Sequence, residues 1–373
     1  MKKIAILVFF TVGFFVHVWA CTGLIAGKQA TVDGSVLVTY SADSHTLYGA
    51  LTSSPAADWP KGSMRSIVEW DTNKPLGEIE QVEHTYAVIG NMNEHQLTVV
   101  ESTWGGRPEL VDTTGIIDYG SLMQLALERA KTAREAIKVM TGLVKKYGYY
   151  SSGESFTIAD PNEAWILDLF GKGPGRRGAV WVAVRIPDDC IAGHANYPRI
   201  HKIPMDDKEN CLYSPDVISF AREMGYFDGL NKDFSFARAY LPADFGALRA
   251  CDARVWSFFR KYDSSMDNYL PYVIGESAEP FPLYVKPSRK FSVQDMIEAM
   301  RDQFEDTPFD MTQDVGAGPF KVPYRFRPMS FEVDGKSYCM ERAIATQQTG
   351  FTLVGQMRNW SPDPVGGVLW FGV

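Results

Sequence analysis

Residues 21–43 read CTGLIAGKQATVDGSVLVTYSAD, and the reading of the rest of the chain turns on them. Two short strand-like runs, TGLIAGKQA (22–30) and SVLVTYS (35–41), are joined by Val32-Asp33-Gly34. Asp-Gly between alternating hydrophobic runs is a strong short-range hairpin signal, because both turn positions need a positive φ. The stretch is therefore predicted to be an antiparallel hairpin with a cysteine at its first position.

Upstream, Lys2 and Lys3 precede the apolar run IAILVFFTVGFFVHVWA, which ends in Val18-Trp19-Ala20. A short basic region, an apolar stretch and small residues before the cut describe a secretory signal over residues 1–20. The run is too short and too interrupted for a convincing membrane span, although an uncleaved anchor is the alternative. No other segment approaches the roughly 20 apolar residues that a spanning helix needs. Removal of the signal makes Cys21 the first residue of the mature chain. A cysteine there has two incompatible meanings. It is either a lipidated anchor or a nucleophile whose thiol and amine both stay free. Bulky Trp19 fits poorly in a lipoprotein signal, which favours the free cysteine.

Of the 373 residues, 45% are hydrophobic and 22% charged, enough apolar surface for a core and too much for a disordered chain. There are 37 basic and 45 acidic residues, and an acidic chain without a basic patch makes a poor partner for nucleic acid. An export context permits disulfides, and Cys190, Cys211, Cys251 and Cys339 could form up to two, leaving Cys21 as the odd thiol; their pairing stays open. There is no CxxC, and the mature histidines His45, His84, His95, His194 and His201 show no HExxH spacing, so neither metal nor cofactor is expected.

Downstream, TYAVIG (85–90) and LTVVES (97–102) read as a third and fourth strand. Helices are predicted over 120–130 and 133–147, the second with Thr132 and Glu135 as a capping box and Gly148 as its stop. Strands return at SFTIAD, AWILDLF, AVWVAVRI and CIAGHAN, and further helices fit 215–225, 246–261 and 292–305, the last with a Ser292/Asp295 capping box. The tail carries an Asp334-Gly335 hairpin, then GFTLVGQMR and GGVLWFGV. Runs of strands interrupted by a helix pair predict an α+β plan of antiparallel sheets layered with helices. The Pro-rich stretch 271–287 is a weak candidate boundary, so residues 21–373 are read as one catalytic unit. The final apolar run ends without a turn or polar cap, so either this strand closes a sheet or the chain is C-terminally truncated.

Gly173 to Gly178 match GxGxxG, but the strand-like AVWVAVRI follows rather than a helix, so the match is a hairpin loop and not a dinucleotide site. No GxSxG is present to form a hydrolase elbow. By spacing alone Asn91, Asn93 and Asn196 read as turn caps, and Arg254 as a helix-surface ion pair. Cys21 differs, because its position supplies chemistry. An α-amine with a pKa near 7.7–8.0 is a competent base for a neighbouring thiol near 8.5, so one residue can hold nucleophile and base together. Attack would give a thioester acyl-enzyme, with backbone N–H groups and Asn amides facing the oxyanion.

The opening CTGLIAGKQATVDGSVLVTYSADSH, with GNMNEHQLTVVEST, GESFTIADPNEAWILD, IAGHANYPRI, ARVW and ERAIATQQTGF, resembles the secreted bacterial cysteine dipeptidases of the dipeptidase A family. These are N-terminal-nucleophile hydrolases related to choloylglycine hydrolase and penicillin V acylase. The resemblance implies a four-layer αββα sandwich of antiparallel sheets and Cys21 as nucleophile. It implies that Asp43 contacts the N-terminal amine, that Asn196 is the polar oxyanion residue, and that the Thr103 backbone N–H serves the same hole. Asn93, in the NE of GNMNEH, is carried with Thr103 as a substrate or oxyanion residue. Arg254 matches the late active-site arginine, with Arg249 one turn earlier as its competitor. Many relatives have an Arg near position 40, in a run resembling ARNED, where this chain reads Thr39-Tyr40-Ser41-Ala42-Asp43; Tyr40 brings no cation to the thiol.

The expectation is an exported enzyme, periplasmic or extracellular, hydrolysing dipeptides or short peptides. It would have no nucleic-acid partner and no membrane attachment after signal cleavage, with homo-oligomerisation open. The alternatives are an acylase of other linear amides, of bile-salt or N-acyl amino acid type, and a peptide-binding lipoprotein lipidated at Cys21.

Overall fold

In the computed structural model the described residues are 21–44, 49–325 and 330–372. The predicted signal segment 1–20 and His45 lie outside them. The principal elements in chain order are β1 (Thr22–Ala26), β2 (Val36–Asp43), β3 (Thr98–Trp104), α1 (Tyr119–Arg129), α2 (Ala133–Tyr147), β4 (Gly153–Ala159), β5 (Ala164–Gly171), β6 (Ala179–Ile186), β7 (Ile191–His194), α3 (Ala253–Arg260), α4 (Val293–Ala299), β8 (Thr349–Met357) and β9 (Val368–Gly372).

The two runs pair as a hairpin, but residues 27–35 make a nine-residue connection in place of a tight Asp-Gly turn, and Asp33, which is not at positive φ, accepts from Ser35 N–H through its Oδ1. β1 pairs antiparallel with β2 in a register that sets Leu24 opposite Thr39, and Gly34 takes φ +82°. One six-stranded sheet runs Tyr284–Val285, β7, β1, β2, β8, β9. The second, eight-stranded sheet runs Cys211–Tyr213, β6, β5, β4, β3, then the short strands Met92–Asn93, Val88–Ile89 and Ser53–Ser54. Every pairing within these two sheets is antiparallel.

Alternation along the strands builds the layers. Ile25, Val38 and Tyr40 of the first sheet meet Val100, Ile166 and Val182 of the second in one core. Leu24, Ala26 and Leu37 turn outward onto Trp256, Phe258 and Phe259 of α3 and Met296 of α4. Val99, Phe156 and Leu167 turn outward onto Leu122 of α1 and Ile137 and Met140 of α2. The order is helix, sheet, sheet, helix. Because both faces of each central strand are buried, a one-residue slip would exchange two apolar sets and is strongly disfavoured.

Several local expectations change. TYAVIG is no continuous strand: only His84–Thr85 and Val88–Ile89 pair, because Tyr86 N–H donates to Glu128 O, Ala87 N–H donates to Glu94 Oε1, and Gly90 turns at φ +51°. Thr132 caps α2 by accepting from Glu135 N–H, but Glu135 Oε2 accepts from Lys131 N–H rather than completing the box. The Ser292/Asp295 box is complete, yet α4 stops at Ala299 instead of 305; beyond it Asp302 Oδ1 caps Phe304 N–H, whose residue sits at φ +65°. The glycine loop joins antiparallel β5 and β6, with Gly171 opposite Ala179. Cys190, Cys211 and Cys251 carry free thiols, so the disulfides an export context permits do not include them.

Candidate active site

Cys21 enters β1 directly, so its side chain is placed by the first rung of the β1–β2 ladder, where Thr22 sits opposite Ser41. It opens on a cleft of about 310 Å³ lined by Tyr40, Asp43, Asp71, Glu101, Thr103 and Tyr119 together with apolar Trp70, Met123, Leu127, Phe351 and Phe371. Among the described lining residues there is no Lys or Arg. Burial pushes the Cys21 thiol well above its ordinary pKa, and the charges of Glu101 and Asp43 push it further; the Asp43 backbone N–H and the Tyr40 hydroxyl oppose this. A thiol held protonated in this way needs a base within reach.

Arg254 is not a surface residue. It is fully buried on α3, where its Nη1 donates to Cys21 O (3.0 Å) and Thr22 Oγ1 (2.8 Å). Its Nη2 donates to Ala195 O (3.0 Å) and Asn196 Oδ1 (2.7 Å). One guanidinium thus ties the main-chain carbonyl of Cys21 to Asn196. Arg249, the competing arginine, pairs with Glu341 (2.9 Å) and lies 3.3 Å from the Phe309 ring centroid.

Asn196 sits in the left-handed region at φ +59°, a conformation Asn tolerates better than most residues. Its N–H donates to Ser102 Oγ (3.2 Å) and its Nδ2 to Thr103 O (2.5 Å). Val99 N–H donates to Asn91 O across the edge of β3 that β4 leaves uncovered. Backbone groups alternate with a period of two, so Thr103 directs its N–H to that same edge, beside the carbonyl that meets Asn196.

His194, at the end of β7, crosses between the two sheets. Its Nδ1 meets Ser102 Oγ at 2.6 Å and its Nε2 meets Thr157 Oγ1 at 2.9 Å. Each ring nitrogen meets a hydroxyl that can donate or accept, so the neutral imidazole can donate from one nitrogen and accept at the other. Burial and the Arg254 charge lower its pKa to about 3, so it is neutral.

Asp43 is buried with Oδ1 accepting from Thr349 Oγ1 (2.6 Å) and Oδ2 3.7 Å from Arg342 Nη2. Desolvation raises its carboxyl to about 6, with Arg342 and Thr349 holding it from rising further.

Cys21, Asp43 and Thr103 line the cleft, and Asn196 and Arg254, which do not, are joined to Thr103 and Cys21 by hydrogen bonds. Asn93 does not line the cleft. Its Nδ2 donates to Leu127 O and Ala130 O (2.8 Å each) and its Oδ1 accepts from His95 and Leu97 N–H, which makes it the anchor between a turn and the end of α1. Sequence reasoning missed Glu101, Glu154, Ser102, His194 and Arg342. An available signal was Glu101 itself, an acid inside LTVVES on the parity of Leu97 and Val99, which face the helices. Among the described residues no group of three or more His, Cys, Asp or Glu is placed to hold a metal ion.

A family description, peptidase family C69, matches residues 20–373. The chain is similar to a probable dipeptidase of Salmonella dublin, 27% identical over 318 residues, covering 78% of this chain and 68% of that protein. It is also similar to a probable dipeptidase of Latilactobacillus sakei (25% over 374 residues; 95% and 71%) and to probable dipeptidase B of Streptococcus pyogenes serotype M1 (23% over 393 residues; 95% and 70%).

Proposed function

This chain belongs to peptidase family C69, and on that premise we propose that it is an exported cysteine-type dipeptidase whose nucleophile is Cys21, freed at the N-terminus by removal of residues 1–20. The names of the similar proteins support dipeptide hydrolysis. The observation that carries the choice between dipeptides and other linear amides is the lining of the cleft. Asp43, Asp71 and Glu101 face it beside the thiol, without a Lys or Arg among its described residues. A substrate presenting a free α-ammonium group is attracted to this acidic lining, whereas an acylated one brings no charge to meet Asp71 and Glu101. Trp70, Met123, Leu127 and Phe371 offer an apolar wall for the first side chain.

In the reaction the α-amine of Cys21 accepts the thiol proton and the sulfur attacks the scissile carbonyl. Asn196 and the Thr103 N–H face the developing oxyanion, and Arg254 fixes Asn196 against the main chain of the nucleophile. The ammonium returns its proton to the leaving amino acid, and water then hydrolyses the thioester. Asp43 orients the amine.

The test compares a panel of dipeptides with the same dipeptides N-acetylated. The proposal expects turnover of the free dipeptides and a loss of at least about tenfold in kcat/KM on acetylation, the size of one charge-assisted contact. Faster turnover of the acylated compounds would assign the enzyme to the acylases instead.

A further inference from the structure

The mechanism leaves Tyr40 unused, although its hydroxyl reaches the proposed nucleophile. Its hydroxyl oxygen lies 3.7 Å from Cys21 Sγ and donates to Glu101 Oε1 at 2.5 Å. The ring is buried and packs edge-on against Phe351, with centroids 5.5 Å apart. A phenol carries one proton, so it can donate to only one of these two neighbours at a time.

Glu101 is itself half of a buried pair. Glu154 stands on β4 directly opposite Thr103, and Thr103 Oγ1 lies 2.7 Å from Glu154 Oε1 and 3.4 Å from Glu101 Oε2. Glu154 Oε2, fully buried, has no partner among the described residues. Two carboxyl groups this close in an apolar setting cannot both ionise at ordinary pH. Desolvation raises both; the Glu101 charge raises Glu154 further, while hydrogen bonds from Tyr40, Cys21 and Glu154 hold Glu101 down.

We propose that Tyr40, Glu101 and Glu154 form a hydrogen-bond relay that sets which way the Tyr40 hydroxyl points. While Glu101 is ionised, its carboxylate holds the hydroxyl away from the sulfur. With the pair's proton on Glu101, the acid donates to Tyr40 and the hydroxyl turns to the Cys21 thiolate. Tyr40 thereby stabilises the thiolate as a neutral donor, in a cleft whose described lining has no cation. The relay carries no proton to the substrate: the thiol proton still goes to the α-amine, and Tyr40 keeps its own. The other ionisable groups facing this cluster are Asp43 on β2, Asp71 in the turn between the short strands Met64–Val68 and Pro75–Glu80, Tyr119 on α1, Tyr149 just beyond α2, Arg254 on α3, and Arg342 behind Asp43. The inference rests on the reading of Cys21 as nucleophile.

The experiment uses the processed enzyme and its Tyr40→Phe, Glu101→Gln and Cys21→Ala forms. It measures the iodoacetamide alkylation rate of Cys21 against pH, located by peptide mass, and kcat/KM on a dipeptide. Losing a hydrogen bond to a charged sulfur should raise the Tyr40→Phe alkylation midpoint by about one pH unit and lower kcat/KM about tenfold or more. Glu101→Gln, which replaces a charged acceptor by a weaker neutral one, should lower the midpoint. A Tyr40→Phe profile that superimposes on wild type, or shifts of the same sign in both variants, would overturn the relay. If Glu101→Gln does not fold, the near-isosteric Tyr40→Phe profile decides alone. Turnover surviving in Cys21→Ala would instead remove the nucleophile reading itself.

Discussion

The Arg254 guanidinium donates to the main-chain carbonyl of Cys21 at 3.0 Å, joining a helix on the outer face of one sheet to the first residue of its central hairpin. The same group holds Asn196, so it fixes the spacing between the sulfur and the amide proposed to face the oxyanion. It touches no reacting atom and acts as a positioning residue. Arg254→Lys keeps one charge but cannot span four acceptors in a planar fork. We expect kcat to fall about a hundredfold with KM changed little, and a stability loss of about 1–3 kcal/mol from acceptors left unpaired. Steady-state kinetics and urea unfolding check both.

Asn196 gives a second prediction. Replacing it by Ala would mix two effects, because an L-residue at φ +59° costs about 1–2 kcal/mol of backbone strain. Asn196→Gly removes the amide without that strain. It should lower kcat about 10²–10³-fold, and unaltered turnover in the folded Gly variant would show that the amide does not serve the oxyanion.

Asp43 predicts an acid limb. Its carboxyl is raised to about 6 by burial, and the ionised form is the one that can orient an ammonium group. kcat/KM should therefore rise with pH through a group at or somewhat below 6, the mature amine drawing it down. Asp43→Asn should lose that limb, and a pH profile identical to wild type would reduce Asp43 to a structural acceptor for Thr349.

His194 predicts a stability difference whose sign follows from its depressed pKa of about 3, against about 6.5 in an unfolded chain. A histidine buried neutral contributes stability that is fully present above pH 6.5. That contribution is lost as pH falls toward 3, because the unfolded state takes up the proton first. Between pH 7 and 4.5 the advantage of wild type over His194→Gln should shrink by about 2–3 kcal/mol. Urea unfolding at the two pH values measures this, and a constant difference would mean that the imidazole is not buried neutral.

Much of this molecule was legible in residues 21–43. The antiparallel pairing of the two runs, the positive φ of Gly34 and the cysteine at the head of β1 follow from local chemistry; the nine-residue connection over 27–35 does not. From local chemistry the site was legible only at Cys21, and Asp43, Thr103, Asn196 and Arg254 came from the family resemblance alone. Arg254 reads in sequence as one more arginine on an amphipathic helix, and nothing local says that α3 turns it inward. Asn93 shows the opposite error: a side chain meeting four backbone groups is an anchor, and its partners lie at residues 127 and 130, out of reach of any local pattern. Glu101 and Glu154 meet because β3 pairs with β4 in one particular register, more than fifty residues apart in the chain.

The central claim is that Cys21 serves as nucleophile and, through its free amine, as its own base. The direct measurement is dipeptide turnover by two mass-verified proteins, one beginning at Cys21 and one carrying a single Ala before it. The extended form keeps the thiol and the cleft but has an amide nitrogen in place of the amine, and an amide accepts no proton at neutral pH. The account predicts a folded protein with turnover reduced by at least about 10²-fold, the low end of what a positioned general base contributes. Equal turnover by the Ala-extended protein would contradict it.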